Sequence, residues 1–185
     1  MGLYYYLGAQ LPYLNYGQAV PMSSKAFRDI ALKEMSPAEA RLLEFCTLEP
    51  IPAQQLSTIS SPFIQSWHNW EEVLRLTLAR NRSQKLKRED PTRGNIPEVP
   101  TDAVAAAKQA FSVDSPLEAE LILDRARWNA IEAFHGIGYF TENMIYAYLL
   151  KLKLMERRQA FNTEEGFAEY KTLYASILED AGEFE

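Results

Sequence analysis

The chain has 185 residues, 47% hydrophobic and 24% charged, which suits one globular domain with a sizeable core or two small ones. Nineteen lysines and arginines against 25 acids give a net charge of −6, which argues against a dedicated nucleic-acid binder. One cysteine excludes an internal disulfide framework, two histidines leave little material for a histidine-rich metal site, and eight glycines and ten prolines exclude a collagen-like composition.

Residues 1–24 carry no charged side chain. They do not read as a signal peptide, because no basic stretch opens them and Pro12, Asn15 and Pro21 interrupt the apolar run. Tyr6 stands where a myristoylation motif needs Ser or Thr. The densest apolar run elsewhere, residues 144–150, is far below the roughly 20 residues of a membrane helix. The expectation is a soluble, cytoplasmic protein with no direct membrane insertion, held at the inner membrane, if at all, through a protein complex.

Tyr4-Tyr5-Tyr6-Leu7 reads as a short buried strand or a first helical turn, and periodicity does not separate the two. After it the signals are helical. Ser24 is placed to cap a short helix carrying Phe27, Ile30 and Ala31. Ser36-Pro37-Ala38-Glu39 has capping-box spacing with proline at the first helical position. That helix presents Leu42, Leu43 and Cys46, and Pro50 and Pro52 stop it. Ser61-Pro62 opens a longer helix whose Phe63, Trp67, Trp70, Leu74 and Leu78 step by three or four into one apolar stripe.

Residues 89–100 hold three prolines and a glycine and read as a linker between an N-terminal and a C-terminal helical half of one domain, 1–185. An alanine-rich helix over about 101–110 follows. Ser115-Pro116-Leu117-Glu118 repeats the cap design, and its helix runs to about Phe134 before His135-Gly136. At 100° per residue, Leu117, Leu121, Trp128 and Ile131 share one face, and Ala119, Ile122, Leu123, Ala126, Ala130 and Ala133 the opposite one. Two apolar faces place this helix at the centre of a bundle. Thr141 is the cap expected for a deeply packed helix over 142 to about 159. Thr163 caps a last one with Phe167, Tyr170, Leu173, Tyr174, Ile177 and Leu178 in a stripe, followed by an acidic tail. The fold class is all-α, a helical bundle with a short N-terminal extended or helical segment.

Few residues carry chemistry. Asp124 falls within the Leu117/Leu121/Trp128/Ile131 face, where a carboxylate must be paired or meet solvent. Three readings stay open: a structural ion pair with Arg157 or Arg158, a catalytic or ligand role, and contact with a partner protein. Glu120, Asp124 and His135 lack the Glu-x-x-His pairs of a carboxylate-bridged metal site. No phosphate-cradling glycine loop and no Gly-x-Ser-x-Gly elbow occurs, so no cofactor is expected. Cys46, with no basic neighbour in sequence, reads as a core thiol.

From Arg75 to Arg93 there are seven basic residues and two acids. Arg80, Arg82, Lys85, Lys87 and Arg88 suit a solvated helix end facing the negative pole of the helix dipole. They equally suit an acidic protein partner. Nucleic acid is the weakest reading, because Trp67 and Trp70 lie turns away on the buried stripe.

Several segments resemble the C subunit of V/A-type rotary ATPases, and resemble more closely a shorter, uncharacterised bacterial family encoded with V-type ATP synthase genes. They are residues 4–12, the 120–128 helix with Glu120, Leu123-Asp124-Arg125 and Trp128, the 145–152 helix, Glu156-Arg157-Arg158 and Phe161-Asn162. The resemblance covers about half the chain and rests on order and spacing. It implies an all-helical, non-catalytic structural or coupling subunit that contacts the central shaft or the membrane rotor. Alternatives are an assembly factor or adaptor for the same complex and, from another class, a small hydrolase or ligand-binding enzyme with a polar pocket around Asp124.

Overall fold

Three Ser-Pro pairs start helices by one device. Ser36, Ser61 and Ser115 each accept, at the hydroxyl, the N–H of the third residue on, at 3.4, 3.4 and 3.3 Å, while the proline takes the first helical position. The computed structural model describes residues 4–90, 92 and 100–161. Within them lie α1 (Tyr5–Gln10), α2 (Ser24–Glu34), α3 (Pro37–Leu42), a 3-10 turn (Leu43–Phe45), α4 (Ala53–Leu56), α5 (Pro62–Lys85), α6 (Thr101–Ser112), α7 (Pro116–His135) and α8 (Glu142–Gln159). No strand occurs among the described residues, 69% of which are helical, so the fold is all-α. The helix expected from Thr163, the acidic tail and most of the 89–100 segment lie outside the described residues.

Several local expectations are corrected. The ambiguous N-terminal segment is helical, as α1. Ser23, not Ser24, caps α2, its hydroxyl accepting from the Ala26 N–H at 3.1 Å. Ser24 instead donates its N–H and hydroxyl to the Glu156 carboxylate, each at 2.6 Å, so α8 supplies an anion to the positive end of α2. Ile30 faces solvent. Helix α3 tightens into the 3-10 turn well before Pro50, and Cys46 lies beyond it, fully buried. Thr141 stands at the start of α8 without capping it, because its hydroxyl donates to the Gly138 carbonyl at 3.0 Å.

The predicted stripe of α5 is buried throughout, and Trp67 and Trp70 stack at 6.2 Å. Helix α7 packs against α5, α6 and α8. It does so with one face rather than two. Leu123, Asp124, Arg127, Trp128, Ala130 and Ile131 are buried, spanning a single sector of about 160° at 100° per residue. Leu117 is 40% exposed and Ala133 faces solvent, because the three neighbours of α7 cover adjacent sides rather than opposite ones. In α8, residues 145–150 are all buried, and one hydrophobic core runs from α1 to α8.

The loop after the 3-10 turn is held by side chains. Four successive carbonyls each accept from a different donor: Phe45 from the His68 ring at 2.8 Å, Cys46 from Lys153 at 2.6 Å, Thr47 from the Trp67 indole at 2.9 Å, and Leu48 from Arg75. Buried backbone carbonyls need donors, and here α5 and α8 supply them instead of a neighbouring strand or turn. Burial pushes the Cys46 thiol well above its ordinary range, so it is an inert core group. It also lowers the Lys153 ammonium.

Burial lowers His68 below its ordinary 6.5, and only its bond to Phe45 and the nearby Glu71 oppose this. A lowered folded value means that the unfolded chain takes up the proton first. The contribution of neutral His68 is therefore complete above pH 6.5 and is lost as pH falls towards the folded value. His135, lowered by burial and by Lys151, acts in the same sense. Unfolding free energy is expected to fall between about pH 7 and pH 5, and His68→Gln to flatten the slope by up to about 1.4 kcal/mol per pH unit. Urea titrations across that range check this; a slope unchanged by His68→Gln would mean that His68 binds its proton equally in the folded and the unfolded chain.

Candidate functional site

The most heavily charged part of the interior is a chain of arginines and carboxylates linking α5, α7 and α8. Arg75 donates to the Leu48 carbonyl and, at 2.9 Å, to Glu71. The other Glu71 oxygen accepts from Arg127 at 2.5 Å. Arg127 also reaches Asp124 Oδ1 at 3.0 Å, and Arg157 donates to the same oxygen. The second fork of Arg157 ends on Glu120 at 2.5 Å. Three guanidiniums thus face three carboxylates. Glu71, Asp124 and Arg127 are buried, with Asp124 only 1% exposed. The outer members, Arg75, Arg157 and Glu120, lie at the edge of the core.

Burial pushes the Asp124 carboxyl above its ordinary value, and Arg157 and Arg127 pull against that. Burial works to lower the Arg127 guanidinium, but Glu71 and Asp124 together hold it above its ordinary value. Two arginines converge on Oδ1, while Oδ2 is buried without a hydrogen-bond partner among the described residues. This is the geometry of a structural ion pair: the carboxylate is shielded from solvent and both neighbours are cations.

Of the two candidate partners for Asp124, the structure selects Arg157. Arg158, one residue on, projects about 100° away around α8. It stacks instead on the Tyr16 ring at 4.8 Å, as Arg125 does at 4.6 Å. Tyr16 also meets Trp128 edge to face at 5.6 Å and donates its hydroxyl to the Leu121 carbonyl at 3.1 Å. Glu120, Asp124 and His135 do not converge: the first two are engaged by arginines, and His135 lies about 16 Å further along α7 at 1.5 Å per residue.

Glu71, Arg75 and Arg127 were not singled out by sequence reasoning, though a signal existed. Glu71 stands on the α5 stripe, four after Trp67 and three before Leu74. Arg127 shares a stripe with Asp124 and Ile131. A charged residue inside an apolar stripe needs a partner on a facing helix.

The basic residues gather at the far end of α5. Arg80, Arg82 and Lys85 are on its last turns, and Lys87 and Arg88 follow in a turn where Lys87 has φ 52°. Arg80 pairs with Asp90 at 3.6 Å. Arg82, Lys85, Lys87 and Arg88 are exposed and have no carboxylate partner among the described residues. Lys85 lies over the Phe111 ring at 5.4 Å. Of the five residues predicted as a contact patch, four are therefore together without a carboxylate partner among the described residues, and Arg80 is paired.

No family model, curated protein or solved structure matches the chain.

Removing Asp124 strands part of two guanidinium charges, although Arg127 keeps Glu71 and Arg157 keeps Glu120. Asp124→Ala is therefore expected to cost about 3 kcal/mol, the low end for breaking a buried pair. Asp124→Asn, which keeps an acceptor oxygen, costs less. Arg158→Ala breaks a ring contact and costs under about 1 kcal/mol. Urea denaturation of the three variants checks the order; equal stability of Asp124→Ala and the parent would place this carboxylate outside the network.

Proposed function

We propose that the chain is a non-catalytic structural or coupling subunit of a V-type ATP synthase or ATPase. In this reading its basic end docks on an acidic protein surface of the central shaft or the membrane rotor. The resemblance to the C-subunit families supplies the complex. The observation that carries the docking is the cluster of four unpaired cations at one end of α5, opposite in sign to the chain's total of −6.

Two further observations support a mechanical role. The segments that carry the resemblance are the ones that brace the fold: Glu120, Asp124 and Arg157 belong to the ion chain, Glu156 holds the start of α2, and Trp128 and Arg158 pack on Tyr16. Asp124, the residue on which a hydrolase reading depends, is committed to two arginines. No helix among the described residues is long and apolar enough to cross a membrane, so attachment to a rotor would run through protein contacts.

Docking through exposed charges weakens as salt shortens the screening length, about 8 Å at physiological ionic strength. Reversing Arg82, Lys85 and Lys87 to glutamate is expected to slow association with purified V-type ATPase subcomplexes at least about tenfold at low salt, with little effect on folding. The wild-type rate should fall towards the variant's at high salt. Unchanged binding by the triple variant would remove this end from the interface. Capture of no ATPase subunit by the tagged protein from its native membranes would sink the proposal.

A further inference from the structure

Beside the basic end the surface is not flat. The last turns of α5, the end of α6 and the first half of α7 enclose a groove of about 360 Å³. Its floor is aliphatic, with Leu78, Ala110, Val113, Ala119 and Leu123. Leu86, 60% exposed, stands at its mouth, and Arg82 and Lys85 form its rim. The two acids that line it are unequal: Glu120 is bound to Arg157, which leaves Asp114. A second cleft of about 490 Å³ continues from it, sharing Leu78, Arg82, Glu120 and Leu123.

We infer that this groove receives one amphipathic, acidic α-helix of a partner protein. The occupant follows from three constraints. First, the free charge around the groove is positive, from Arg82, Lys85, Lys87 and Arg88, so the complementary segment carries glutamates or aspartates on its outer face. Second, the floor is apolar and already flanked by helices, which calls for an apolar stripe stepping by three and four on the inserted segment. Third, among the described residues the other common modes of peptide capture lack their platform: no strand edge exists, and Phe111, covered by Lys85, is the one aromatic ring lining the groove, unlike the aromatic-lined troughs that take polyproline. This proposal takes the basic end as the docking surface argued above and narrows its partner from an acidic surface to an acidic helix.

The test uses the full chain and a fluorescent synthetic peptide of about five helical turns, with leucines on one face and glutamates on the other. Controls are the same composition scrambled, and a version with lysine for glutamate. Two variants separate groove from charge. Ala119→Arg fills the groove while adding a cation, and Leu86→Glu spoils its exposed lip; helix content by circular dichroism verifies that each variant folds. The amphipathic peptide is expected to bind, both controls to bind at least about tenfold more weakly, and both variants to lose at least about tenfold in affinity by anisotropy. If Ala119→Arg binds the peptide as well as wild type or better, charge alone is being read and the groove is not the site. Equal binding of the scrambled peptide also overturns the inference. Failure here is distinguishable from failure of the rotary-ATPase reading. An ATPase subcomplex that responds to charge reversal but to neither groove variant overturns the groove alone. A peptide that binds as expected, beside no ATPase subunit at all, overturns the complex and leaves the groove standing.

Discussion

Charge neutralisation inside the core is the constraint on which the rest of this structure depends. Helices α5 and α7 cannot pack through their polar positions unless Glu71, Asp124 and Arg127 meet, because each would otherwise be a lone buried charge, and Arg157 ties α8 to the same Asp124 oxygen. These contacts fix the rotation of all three helices about their own axes. An apolar seam would tolerate a slide of one turn; an alternation of guanidinium and carboxylate does not, since a shift would set like charges together. Such networks add little net stability against a well-packed apolar alternative, so their effect is on register rather than on total free energy.

The same chain reaches the loop. Arg75, at its outer end, donates to the Leu48 carbonyl, the last of four carbonyls held by side chains from α5 and α8. Loop, ion chain and helix packing are thus one connected polar system threaded through an apolar core. Helix α7 runs about 30 Å alongside it, twenty residues at 1.5 Å each. Near its start lie the groove and the basic end of α5. Its other end leads into a turn where Ile137 and Tyr139 are exposed, close to α1 through the Tyr4 N–H bond to the Phe140 carbonyl and the packing of Tyr5 on Phe140. The two ends of α7 therefore differ chemically, one grooved and basic, the other exposing Ile137 and Tyr139.

Much of the fold was legible in the sequence because its signals are local. Ser-Pro caps at 36, 61 and 115 and the five-residue stripe of α5 need only spacing to be read. The dense apolar run of α8 likewise announced a buried helix. What failed was long-range. The α7 wheel shows two apolar faces when hydrophobicity alone is counted; the buried sector joins an edge of each across Arg127, which such a count places between them, with Asp124 inside the first. Asp124 could be flagged as needing a cation, but Arg157 and Arg158 differ only by rotation, which the partner helix decides. The four-residue α4 and the side-chain-held carbonyls carry no periodic pattern at all.

Native-state hydrogen exchange tests the central claim most directly. If the ion chain locks α5, α7 and α8 into one unit, amides in the middle of all three helices open together, at one free energy, and Asp124→Asn lowers that free energy by the same amount in each. Helix α8 exchanging at a distinctly lower free energy than α5, with the variant affecting α7 alone, would contradict it.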